Sequence, residues 1–259
     1  MKKFCFIILI FTEIVSSQDI KVYHEKNQRD EMILYADNMN YTPVSLYVDV
    51  SFANYTKSGK DTIVLSPRKR RQKILKLQKK NKRIPSRFSY NVDYMYGDIN
   101  IKEYDSLYVY NLPYSKDKKY KILQGYKGSF SHFTENNKYA IDFKMPLGTE
   151  IFAARGGIVI KVIEKFNRNC AKIECENFNN LITIMHNDGT YADYLHIRHK
   201  GSLVKEGDKI VTGQIIGFSG NTGWSSEPHL HFVVYLQKIY KRITIPTKFH
   251  NLKEEKYNF

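Results

Sequence analysis

Glu227-Pro228-His229-Leu230-His231-Phe232, continuing into Val233-Val234-Tyr235, is the stretch from which the rest of the chain can be read. It has the length and apolar content of a buried strand. A strand alternates its side chains between two faces, so His229 and His231 point to one side, about 7 Å apart at their Cα atoms, and Leu230 and Phe232 to the other. Imidazole is a common zinc ligand and the side chain most easily protonated near neutral pH, so such a pair can hold a metal, move a proton, or do one of each. The same pattern also suits a strand that merely lines a polar groove.

Working outward, Ser131-His132 precedes Tyr139-Ala140-Ile141-Asp142-Phe143, and Tyr194-Leu195-His196 closes another apolar stretch. These add two imidazoles and a carboxylate. A catalytic zinc keeps three protein ligands and one open position for water, and this set is large enough to supply them with imidazoles to spare. Alternation and apolar runs predict strands at 139–143, 157–164, 181–186, 191–196, 214–218 and 229–235, with Asn187-Asp188-Gly189-Thr190 as a hairpin signal. Period-two stretches at 45–52 and 88–96, with no amphipathic helix of a dozen residues, predict a small antiparallel β-sandwich in the first part. The fold class is therefore all-β. The reading divides the chain into an export segment at 1–17, an N-terminal β domain at 18–105, a catalytic domain at 106–238 and a tail at 239–259.

In order along the chain, His132, Tyr139 through Asp142 to Thr149, Ala153-Ala154-Arg155-Gly156-Gly157, Tyr194-Leu195-His196, Ser219 through Gly223, and Pro228-His229-Leu230-His231-Phe232 resemble the lysostaphin-like, or LytM-type, zinc endopeptidases. The resemblance covers nearly all of the second domain. It implies an antiparallel β-sheet peptidase with a zinc groove. It also implies one zinc ion held by His132, Asp142 and His231, with His196 and His229 as catalytic residues flanking the metal-bound water or the developing oxyanion, and peptidoglycan peptides as substrate. Many relatives place the first histidine four residues before the aspartate, where this chain has Lys138, so His132 enters with a longer loop. Where relatives commonly have glycine before Pro-His-Leu-His, this chain has Glu227, on the rim of the groove or in contact with substrate amines. A related, non-catalytic protein acting as scaffold or regulator of another wall hydrolase is the alternative reading. His186 is expected to be a structural histidine, and Trp224 either to pack or to meet substrate.

Composition sets the limits. An apolar share of 42% with 14% aromatic residues is enough for a packed core and argues against disorder. Lys2 and Lys3, the apolar run 4–11 and Val15-Ser16-Ser17 read as a cleaved export signal, too short to span a membrane, so no stable membrane insertion is expected and the enzyme is placed in the periplasm or outside the cell. Cys5 lies within that signal. Cys170 and Cys175 are then an even pair in an oxidising compartment and are expected to close a small disulfide loop. Of the formal net charge of +15, ten Lys or Arg residues fall within the sixteen residues 68–83. That run is expected to be a solvated strand edge or loop, or else a site for an acidic polymer; an exported protein rarely meets nucleic acid, which is excluded as a partner. No G-x-S-x-G elbow or Walker-type loop occurs, which sets aside serine-hydrolase and nucleotide-binding readings.

Overall fold

A computed structural model of the protein describes residues 16–17, 20–238 and 241–252. The expected export signal therefore lies outside the described residues except for Ser16 and Ser17. The chain forms two compact units, Met1–Tyr96 and Gly97–Phe259. The division follows Tyr96 rather than residue 105, because Ile101 and Tyr104 pack against the core of the second unit.

The first unit contains two antiparallel sheets. One includes Ile20–Lys26, Glu31–Asn38, Lys69–Lys79 and Tyr55–Gly59 in that spatial order; the other has Val44–Ala53 between Thr62–Leu65 and Arg87–Tyr96. Leu34, Leu75 and Leu77 of the first share one buried cluster with Leu46, Val48 and Leu65 of the second. The basic run departs from expectation here. Lys69–Lys79 is an interior strand, paired on both sides, because Ile74, Leu75 and Leu77 are buried and commit it to the core. Several of its cations are already engaged: Arg71 pairs with Glu25, Lys76 with Glu31 at 2.8 Å, and Arg68 lies over the Tyr41 ring.

The second unit is built on an eight-stranded antiparallel sheet. Its strands, in chain order, are β1 (Ile122–Gln124), β2 (Ile141–Phe143), β3 (Gly157–Ile163), β4 (Leu181–Met185), β5 (Tyr191–Leu195), β6 (Lys209–Ile210), β7 (Leu230–Lys238) and β8 (Lys241–Ile245). They lie in the order β1-β2-β7-β5-β4-β3-β6, and β8 pairs with the far half of β7. Residues 241–245, expected in a tail, thus belong to the sheet. Apolar side chains at alternate positions, among them Ile182, Ile184, Ala192, Tyr194, Leu230, Phe232 and Val234, form the core on one face. A second sheet pairs Glu150–Phe152 and Ile197–Ser202 with Ile215–Ser219. No described helix is long and apolar enough to cross a membrane.

His186, the residue after β4, is buried with its ring against Tyr110 of this core. Its Nδ1–H donates to the Gly156 carbonyl at 2.8 Å, while Nε2 is buried with no partner among the described residues. Burial pushes the imidazole down to about 4, so the folded protein holds it neutral. The unfolded chain takes up a proton as pH falls below the ordinary value near 6.5; the folded chain does so only near 4. Stability is thus complete above about 6.5 and is lost as pH falls between the two. In His186→Asn an amide N–H can keep the bond to Gly156 without titrating. The wild type is expected to lose about 2 kcal/mol relative to this variant between pH 8 and pH 5, as followed by urea unfolding. Parallel pH profiles for the two proteins would rule this out.

Candidate metal centre

Strand register brings the first two donors together. On β2 and β7, Asp142 is the direct cross-strand partner of His231, and on the other side of β7, Leu195 of β5 is paired with His231. Directly opposed residues of antiparallel strands point to the same face, so the Asp142 carboxylate meets the His231 ring, with Oδ1 2.9 Å from Nδ1. The third donor arrives from a loop. His132 is fully buried, and its Nε2 lies 3.3 Å from both Asp142 Oδ1 and His231 Nδ1.

Two imidazole nitrogens and a carboxylate oxygen at mutual separations of 2.9, 3.3 and 3.3 Å form a triangle of hard and borderline donors. Ligands about 2.0 to 2.1 Å from a tetrahedral zinc ion stand about 3.3 Å apart, so this set fits zinc without rearrangement. His132 Nδ1–H donates to the Gly125 carbonyl at 2.8 Å. A carbonyl can only accept, so the proton sits on Nδ1 and Nε2 presents its lone pair to the site. Burial alone would push the Asp142 carboxyl up, but in the metal-free protein the adjacent His231 and His132 rings, as cations and donors when protonated, outweigh it and hold the group well below the usual carboxylate range.

The other two predicted histidines stand beside this triangle. The His196 and His229 rings are 4.4 Å apart, and His229 Nε2 is 3.9 Å from Asp142 Oδ1. His196 follows the last residue of β5 with φ +64°, a left-handed conformation rarely taken by a residue with a side chain, and the chain turns there into Ile197–Ser202. His196 Nδ1–H donates to Thr222 O at 2.7 Å and His229 Nδ1–H to Glu227 O at 2.8 Å, which leaves Nε2 as the second nitrogen of each ring. Burial, reinforced by repulsion from His229 and His231, holds His196 well below its usual value and keeps it unprotonated.

These residues open onto a cavity of about 210 Å³. Phe130 and Trp224, with ring centroids 5.7 Å apart, form an aromatic part of its lining, and Glu176 and Asn179 form another. The Cys170–Cys175 disulfide closes the loop beneath that second part. This loop is tied to the segment before His229: Ser225 N–H donates to Cys170 O at 3.0 Å, and Asn169 Nδ2–H to Ser225 O at 2.9 Å. Gly223 has φ +78°, and a Cβ there would stand 1.7 Å from Asn179 Oδ1, so only glycine fits. Glu227 pairs with Lys144 at 2.6 Å on the rim.

The structure therefore brings together all five histidine and aspartate positions singled out from the sequence, places Trp224 at the cavity, and leaves His186 in the core. Sequence reasoning passed over the groups that aim them. The carbonyls of Gly125, Thr222 and Glu227 carry no side-chain signature. Ser225, whose Oγ is 3.1 Å from His229 Nδ1, falls between two of the quoted motifs and did not stand out. Gln124, opposite Asp142 in the register of β1 and β2, had no pattern to mark it.

The model for "Peptidase family M23" matches residues 136–242, which include Asp142, His196, His229 and His231 and begin just after His132. An uncharacterised metalloprotease of Buchnera aphidicola is 40% identical over 124 residues, 47% of this chain and 30% of that protein. The glycyl-glycine endopeptidase ALE-1 of Staphylococcus capitis is 37% identical over 114 residues, covering 44% and 28%. The peptidoglycan DD-endopeptidase ShyA of Vibrio cholerae is 37% identical over 91 residues, covering 35% and 18%. The chain thus matches less than a third of the length of each of these relatives.

The donor triangle makes a direct forecast. Purified protein is expected to bind one zinc ion per chain, with affinity reduced roughly a hundredfold or more in His231→Ala and Asp142→Ala and stoichiometry kept in His196→Ala, by metal analysis after dialysis. Equal zinc content in wild type and His231→Ala would remove the triangle as the binding site.

Proposed function

We propose that this chain, whose residues 136–242 are a lysostaphin/LytM-type domain of peptidase family M23, is an exported zinc-dependent endopeptidase that hydrolyses peptide bonds in the stem or cross-link peptides of bacterial peptidoglycan. The observation that carries this reading is the convergence of His132 Nε2, Asp142 Oδ1 and His231 Nδ1 beside two further imidazoles whose free nitrogens are defined by carbonyl partners. The disulfide supports an oxidising compartment. Two named relatives specify different bonds, glycyl-glycine in one and a peptidoglycan DD-peptide in the other, so the substrate class proposed is what they share, a wall peptide.

His132, Asp142 and His231 would hold the zinc. Zinc bound there supplies Lewis acidity, which polarises a carbonyl oxygen and makes water acidic enough to be a nucleophile near neutral pH. His196 and His229 do the proton work. With Nδ1–H committed to a backbone carbonyl, each offers Nε2 as base toward the attacking water and, once protonated, as donor to the carbonyl oxygen or the departing amine. Burial around His196 keeps it in the basic form at the start of the cycle. The aromatic lining at Phe130 and Trp224 supplies apolar area against which a peptide can be held in register.

Zinc-loaded protein is expected to release free amino groups from purified peptidoglycan, a chelator to abolish this, and His196→Ala or His229→Ala to lower kcat by roughly a hundredfold or more while zinc is retained. Should fully loaded wild type release nothing from walls of several cross-bridge types, the proposal gives way to a non-catalytic scaffold or regulator.

A further inference from the structure

Gln124 hydrogen-bonds to both pieces of chain that deliver ligands from the near edge of the candidate site. Its Oε1 accepts the backbone N–H of Phe130 at 2.9 Å and of Ser131 at 3.2 Å, and its Nε2 donates to Ser131 Oγ at 2.8 Å and to Asp142 Oδ2 at 3.3 Å. One amide thus spans two separate pieces of chain that each deliver a ligand: the loop segment ending in His132, and β2 with Asp142. The placement follows from the register. Gln124 is the cross-strand partner of Asp142, and an irregularity between Ile122 and Gln124 reaims the strand at that point.

We infer that Gln124 is a positioning residue that assembles the metal centre: it locks the His132 loop against β2 and turns the Asp142 carboxylate so that Oδ1 faces the two histidines. The division of labour follows from valence. A carboxylate oxygen engaged by an amide N–H is the weaker ligand, so the bond to Oδ2 leaves Oδ1 as the one that faces His132 Nε2 and His231 Nδ1. The bonds to the Phe130 and Ser131 amides matter for a different reason. His132 stands ten residues before Asp142, so the aspartate's strand does not by itself define where the histidine falls. Two amide protons held by one oxygen immediately before His132 remove the freedom of that segment.

Gly128 completes the device. A Cβ at 128 would lie 2.2 Å from Gln124 Cγ and 2.7 Å from its Oε1, so the absence of a side chain there is what lets the glutamine fold over the loop. Gly128 also accepts the His132 backbone N–H at 3.0 Å, a bond an alanine would retain. Gly128→Ala therefore disturbs Gln124 while leaving its chemistry and every proposed ligand intact.

The inference rests on the proposed metal site, and its test reads metal affinity and loop protection apart from catalysis. On the full chain, zinc affinity is measured by competition with a chromophoric chelator, the visible spectrum of the cobalt form is recorded, and exchange of the Phe130 and Ser131 amides is followed in metal-free protein. Gln124→Leu, of similar size and with no polar group, is expected to weaken zinc by roughly 10- to 100-fold, to alter the cobalt spectrum, and to speed exchange of the two amides at least tenfold, with Gly128→Ala shifting all three in the same direction. His132→Ala is expected to lose the metal yet keep both amides protected, which separates the clamp from the ligand. Wild-type affinity and wild-type protection in Gln124→Leu would overturn the inference while leaving the site intact. A wild type that binds no metal but shows amides protected by Gln124 would instead sink the metal site and leave the clamp.

Discussion

Everything at the candidate site depends on one strand pairing, that of β2 with β7. It sets Asp142 against His231, and because β7 is paired on its other edge with β5, the same register sets Leu195 beside His231 and delivers His196 at the next residue. A slip of one residue would turn Asp142 toward the apolar face occupied by Ile141 and Phe143 and bury an unpaired carboxylate there. The core therefore enforces the chemistry. Leu230, Phe232 and Val234 have to face the apolar side, and so His229 and His231 cannot do so.

A buried carboxylate among buried imidazoles is costly unless each polar atom has a defined role. Here backbone carbonyls distribute the protons. Gly125, Thr222 and Glu227 each take an Nδ1–H, from His132, His196 and His229 respectively. His231 is the exception, since its Nδ1 faces Asp142 and its Nε2 is buried without a partner among the described residues. One ring therefore presents Nδ1 to the proposed site and another Nε2, a difference that no ligand spacing in the sequence expresses. The Ser225 hydroxyl, held at Asn221 Oδ1 at 2.6 Å and tied through its backbone to the disulfide loop, fixes the segment from which His229 projects.

Legibility followed the physics of each feature. Period-two alternation along apolar runs located six strands of the second unit within one to three residues, because burial on one face leaves a direct mark on sequence, but it did not reveal Ile122–Gln124, Glu150–Phe152, Ile197–Ser202 or Lys241–Ile245. The His-x-His pair was legible for the same reason, and the ordered motifs around it through their resemblance to the lysostaphin-like endopeptidases. What could not be read came from long-range pairing. Gln124 is opposite Asp142 only because β1 folds back with an irregularity, and the cations of 68–83 hid a core strand because Ile74, Leu75 and Leu77 looked like interruptions rather than the inward face. Ile101 and Tyr104 were assigned to the first domain because packing partners, not composition, decide where they belong.

The segment beyond β7 shows what such a miss can conceal. Lengthening the loop between first histidine and aspartate from four residues to ten adds only about 1 kcal/mol of closure entropy, so spacing alone is no obstacle to the site. What a longer loop loses is definition, and here it is recovered from outside. Arg242 of β8 donates to Asn137 Oδ1 at 2.8 Å while pairing with Asp193 at 2.9 Å, and Thr244 Oγ1 donates to Glu135 O at 3.0 Å. Both anchors lie in the stretch that read as a tail. The loop that carries His132 is thus held at one end by Gln124 from β1, which pairs with β2, and across its middle by β8, which pairs with the far half of β7. The long loop before Asp142 and the strand β8 that anchors its middle are on this view one structural solution.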